Sequence, residues 1–208
     1  MSGLKSVVVS KFIPWTSQFE GHTTFMYLDV RGLVTCGFGN LIDPFISPTL
    51  DWRDKSGLPV PHQAVVDEWS RVKAMTDKAP LGGGVFRWYT NLRATEASIE
   101  ALCDEQLSSN YTTLKTKWLP DLDSWPASAQ LALMGWAWAN GPNAFHNGQW
   151  PHFLEACKAK DWEGCARECQ NSTIGNPGVG PRNVAQHNLF TYCLTLDETN
   201  LDSFPEGT

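Results

Sequence analysis

The chain has 208 residues, with 22 Asp and Glu against 16 Lys and Arg and a formal net charge of −6. No Lys/Arg block interrupts that acidic balance, which excludes a nucleic-acid partner, since phosphate binding needs clustered cations. A single domain of this length, in two lobes, buries roughly 70% of the surface its unfolded form exposes and needs no staples. Ten of the residues are Trp; these belong in the core by default, and any excess is suited to stacking on the apolar faces of sugar rings.

The apolar run Val7 to Val9 falls short of a secretory h-region, and no stretch approaches membrane-spanning length. The expectation is a monomer made in the cytoplasm without a signal peptide and without membrane insertion. Next, Pro14 can open a short helix and Gly21 can close it, which puts Glu20 on a C-terminal turn where its charge gains nothing from the helix dipole. The β-branched and aromatic residues of 25–34, around an Arg31-Gly32 turn, predict a hairpin carrying Tyr27, Asp29, Leu33 and Thr35.

Residues 41–61, punctuated by Pro44, Pro48, Gly57, Pro59 and Pro61, read as irregular. A helix over 62–77 follows, with Val65, Val66, Trp69, Val72 and Met75 on its apolar face. Gly82, Gly83 and Gly84 have no following Lys-Ser/Thr, so they read as a flexible loop and not as a phosphate cradle. Phe86, Trp88 and Tyr89 behind them form an aromatic cluster that either overhangs a cleft or packs the loop down.

Thr95 caps a helix to about Thr116 whose buried face is Ile99, Leu102, Cys103, Leu107, Tyr111 and Leu114. The stretch 125–139 is apolar almost all round and belongs at the centre of a helical lobe, ending at Asn140-Gly141-Pro142. Two short helices over 150–160 and 161–170 precede a Gly/Pro loop, 171–181. A last helix runs from Pro181 to about Leu194, with Val184, Leu189, Phe190 and Cys193 inward, and 197–208 read as a flexible acidic tail. The class is therefore α+β, mainly α.

Six cysteines stand at 36, 103, 157, 165, 169 and 193. Cys165, Cys169 and Trp162 share a helix face, the spacing of core residues, and buried thiols are expected. In an oxidising compartment a bridge from Cys193 to another helical cysteine is the alternative, and connectivity cannot be deduced. His146, His152 and Cys157 fit no zinc spacing, and no Cys sits in a nucleophile context. No metal and no cofactor are called for.

Taken singly, Glu20 fits a surface helix end, Asp29 a turn residue and Thr35 an ordinary strand position. Those readings leave their joint spacing and the glycines between them unexplained. Glu20, eight residues, Asp29, five residues, Thr35, set within Tyr27-x-Asp29-x-x-Gly32-x-x-Thr35-x-Gly37-x-Gly39, resembles the active-site signature of phage-type lysozymes. Asn40 departs from it, standing where that family usually has His. The resemblance covers this stretch closely and extends loosely to a later helical block.

The resemblance implies a two-lobed lysozyme-like domain, a small hairpin subdomain joined by a long helix to a helical lobe, with 41–93 as an insertion or lid relative to short phage lysozymes. It implies a muramidase that cleaves the β-1,4 bond of peptidoglycan glycan with inversion. Glu20 would be the general acid, its carboxyl desolvated by neighbours such as Trp15 and Phe19; Asp29 the ionised partner; and Thr35 a hydroxyl that helps Asp29 hold the attacking water. Tyr27, Asn140 and Arg182 would bind substrate; Asn140 fits equally a plain helix C-terminal residue before Gly141. Such an enzyme acts in the periplasm or cell wall, as an endolysin released through a holin or as a secreted antibacterial effector with a cognate immunity protein. The rival readings are a lytic transglycosylase, a chitinase-like glycosidase and a non-catalytic binding module on the same fold.

Overall fold

The computed structural model describes residues 3–174 and 177–208, apart from the side chains of Asn147 and Pro177. In chain order the regular elements are α1 (Ser6–Thr16), β1 (Thr23–Leu28), β2 (Val34–Gly37), β3 (Asn40–Leu41), β4 (Trp52–Arg53), α2 (His62–Lys73), β5 (Arg93–Ala94), α3 (Glu96–Lys117), α4 (Ala127–Asn140), α5 (Pro151–Ala159), α6 (Trp162–Glu168) and α7 (Gly180–Tyr192). Short 3-10 segments stand between several of them, among them Thr76–Leu81 and Gly83–Trp88. The class is α+β and mainly helical. The chain divides into two compact units, Glu20–Gln106 on one hand and Met1–Phe19 with Leu107–Thr208 on the other, and the division falls within α3.

In the Glu20–Gln106 unit, β1, β2 and β3 form an antiparallel sheet in that order, with Tyr27 opposite Thr35 and Thr35 opposite Leu41. The stretch read as irregular from its prolines contains β4, which pairs with β5. Val65 and Val72 turn α2 inward, and Glu68 is buried between them. Its carboxylate accepts from the backbone N–H of Asn91 and of Leu92, both at 2.8 Å, and from Arg71 Nη2 at 2.5 Å. Hydrophobic periodicity alone would leave this acid on the surface; two amides and a guanidinium offset the cost of burying it. The helix ends at Lys73 and leaves Met75 outside, shorter than its apolar pattern.

The glycine run 82–84 is not the flexible loop that composition predicts. Gly83 opens the 3-10 segment Gly83–Trp88, which buries Phe86 completely.

In the second unit α4 is buried on every side from Ala127 to Ala137. Helices α1 and α7 pack on it. Gly135 makes room for Trp15: a Cβ there would lie 2.2 Å from the indole. Trp136 stacks on Phe145 at 4.6 Å and meets Phe153 edge-on at 5.0 Å, which continues to Phe190 at 5.9 Å. Each such aromatic, fully buried, contributes roughly 2 to 3 kcal/mol.

Three expectations change in this unit. Helix α1 starts at Ser6 and carries Pro14 inside it, because Val8, Phe12 and Trp15 make one buried face whose packing outweighs a single missing donor. It ends at Thr16, so Glu20 follows the helix and is not on its last turn. On α7 the inward stripe is Arg182, Asn183, Gln186, Leu189 and Phe190, and Val184 is 60% exposed. Residues 197–208 are not a loose end: the Leu201 carbonyl accepts from Ala127 N at 2.8 Å, Asp202 pairs with Lys5 at 2.5 Å, and Lys11 donates to the Thr208 carbonyl. The loop 171–181 begins with Asn171 clasped by Asn183, while Gly175 and Asn176 lie outside the described residues.

Candidate active site

The turn between β1 and β2 is built on Asp29. Its backbone N–H donates to the Leu33 carbonyl at 3.0 Å and its carbonyl accepts from Gly32 N at 2.9 Å. Its side-chain Oδ1 accepts from Arg31 N at 2.8 Å and from Leu33 N at 2.9 Å. That is the local habit of an Asp in a turn, and Gly32 supplies the left-handed φ of 74° that closes it. The second oxygen, Oδ2, faces Arg31 Nε at 3.5 Å, and Arg31 is itself largely in solvent. Asp29 therefore has one oxygen fixed by the backbone and one directed outward.

Across the ladder, Thr35 is buried and its hydroxyl donates to the Leu33 carbonyl at 3.2 Å, which leaves the oxygen lone pairs free to accept. Glu20 is half-buried in the bend between α1 and β1. A Cβ placed on Gly39 would lie 3.4 Å from Glu20 Oε2, so this glycine, at a φ of 80°, brings the start of β3 up to the carboxylate. Gly37 serves the same bend: a Cβ would fall 2.6 Å from Asn40 Oδ1 and 2.9 Å from Ile99. Asn40 Oδ1 accepts from Phe38 N at 3.1 Å, so this side chain holds the bend itself. Its buried Nδ2 has no hydrogen-bond partner among the described residues.

Tyr27 gathers these groups. Burial, and then the charges of Glu20, Cys36 and Asp29, push its phenol up to about 12. The ring stands opposite Thr35 on the next strand. The Cys36 thiol, pushed up to about 12 by burial, stays protonated and is no nucleophile.

The remaining two predicted residues, Asn140 and Arg182, belong to the other unit. Asn140 is the last residue of α4, and its Nδ2 donates back to the Trp136 carbonyl at 2.9 Å before Gly141 at a φ of 82°, the helix-ending role. Arg182 is buried near the start of α7 with its guanidinium 5.6 Å over the Phe19 ring.

No model of a known protein family matches the chain, and no curated protein matches it.

Sequence reasoning missed Gly83, whose Cβ would lie 2.8 Å from the Tyr27 ring. A conformational reading of three glycines points to flexibility; only the fold shows that one of them is a close approach. Among the described residues no three His, Cys, Asp or Glu side chains are grouped so as to hold a metal ion. Among the described residues no helix is long and apolar enough to cross a membrane.

Proposed function

We propose that this chain is a glycoside hydrolase that cleaves the β-1,4 bond between N-acetylmuramic acid and N-acetylglucosamine in peptidoglycan glycan. What supports the reading is the placement of the three candidates around one small sheet: Gly39 lies against the Glu20 carboxylate, Asp29 closes the turn between β1 and β2, and Thr35 stands across the ladder from the half-buried Tyr27, whose phenol both carboxylates help hold protonated. An acid and an ionised carboxylate are the minimum apparatus for glycosidic hydrolysis.

Glu20, half-buried beside Gly39, is the group that protonates the leaving oxygen. Asp29 keeps Oδ1 on the turn amides, which fixes the plane of the carboxylate, and offers Oδ2 to the attacking water. The water donates one hydrogen bond to Oδ2 and another to the Thr35 oxygen, whose own proton is spent on Leu33. The site of action is then the bacterial cell wall, by whatever route the chain reaches it.

Mass spectrometry of soluble products from purified peptidoglycan tests this. Wild type is expected to release reducing N-acetylmuramic ends, and Glu20→Gln to lower the rate by about a hundredfold or more. Anhydro-muramic ends would convert the reading to a lytic transglycosylase, which needs only the acid. No products from wild type would remove the cell-wall hydrolase reading.

A further inference from the structure

The 3-10 segment Gly83–Trp88 lies along β1 inside the Glu20–Gln106 unit. At its start Gly83 touches the Tyr27 ring. At its end the Arg87 carbonyl accepts from Arg93 Nη2 at 3.1 Å, and the guanidinium of Arg93 lies 5.2 Å over the Phe25 ring. The segment therefore travels from Tyr27 towards Phe25, that is, towards the end of β1 that follows Glu20. Its 3-10 rise sets about 10 Å between Gly83 and Trp88.

Phe86 anchors the segment in the core, while Trp88 is 81% exposed. Every other Trp in the chain is buried or half-buried. Tyr89, the next residue, is 44% exposed, so Trp88 is not one scattered apolar side chain. A large aromatic held in water on an anchored segment, which starts against the Tyr27 ring of β1, is suited to a partner with an apolar face and polar edges. A pyranose ring is such a partner.

We propose that Trp88 is a stacking platform for a pyranose ring of the glycan strand, at a subsite beyond the scissile bond. This rests on the glycosidase reading above. Binding, and not turnover, is its direct readout, so the test uses full-length Glu20→Gln protein with solubilised peptidoglycan glycan strands. Iodide quenching of Trp fluorescence is measured with and without glycan. Because Trp88 is the indole that iodide reaches most freely, bound glycan is expected to cut the quenchable fraction substantially. Adding Trp88→Ala is expected to weaken binding about tenfold, the scale of a good aromatic contact, and to abolish the glycan-dependent change, with Trp88→Phe restoring most of the affinity. Glycan bound equally well by the Trp88→Ala protein, with no shielding in its Trp88 parent, overturns the platform and leaves the glycosidase reading intact. No glycan bound, together with no products from wild type, removes both.

Discussion

The proposed reading gives Asp29 a catalytic role beside its role in the turn, and one substitution separates the two. An Asn retains an Oδ1 for the amides of Arg31 and Leu33, whereas an Ala leaves both donors without their acceptor. Asp29→Asn is expected to melt like wild type and Asp29→Ala to lose about 1 kcal/mol, while both lose hydrolysis; equal stability of the two in thermal denaturation would remove the turn role. Tyr27 reports on the carboxylates themselves. Its phenol titrates near its ordinary value of 10.0 in the unfolded chain and at about 12 in the folded one. The stability it contributes is therefore complete below the unfolded value and is lost as pH rises through the folded one. Glu20→Gln removes one of the charges that raise it, so the alkaline titration assigned by difference from Tyr27→Phe should move to lower pH. An unchanged titration would mean that Glu20 is not where the sheet puts it.

Elements in the Glu20–Gln106 unit are held by polar ties that hydrophobic patterning does not announce. Glu68 is the main one, joining α2 to the approach to β5 through two backbone amides. Glu68→Ala is expected to cost about 3 kcal/mol, because it leaves buried amides and Arg71 without their acceptor, measured as a fall in the urea midpoint; a loss below a few tenths would show that water replaces the carboxylate. The 3-10 segment Gly83–Trp88 makes a different prediction. Gly83→Ala forces the Tyr27 ring aside, since the added carbon would stand 2.8 Å from it. Activity on peptidoglycan should fall severalfold with near-native melting, unlike a change in the sheet core.

At the scale of the whole molecule each unit carries a carboxylate held low by a lysine. Asp43 is held below the ordinary carboxylate range by its hydrogen bond to Lys73, and Asp123 by those to Lys115 and Tyr111. The unfolded chain titrates both higher, so the stability from these pairs is present above the ordinary range and is lost as pH falls through the lowered values. Acid unfolding followed by Trp fluorescence should shift upward in pH for Asp43→Asn. The C-terminal stretch adds a second test. Ending the chain after Leu196 removes the partners of Lys5, Lys11 and Ala127 N and should lower Tm by several degrees, roughly 1 to 2 kcal/mol.

Periodicity and turn chemistry alone determined the hairpin around Arg31-Gly32, the buried face of α3 and the wholly buried α4, because these rest on local spacing and on a side chain's preference for or against water. The residues from Glu20 to Gly39 on which the proposed site draws could be read together for the same reason: they are contiguous. Only the tertiary structure decided where α1 ends, that Gly83 is a close contact of Tyr27, that Glu68 and the inward polar stripe of α7 are buried, and that 197–208 is tied down. Each of these turns on a partner distant in sequence, whether an amide to accept from, a ring to approach or a lysine to pair with, and no local pattern records such a partner.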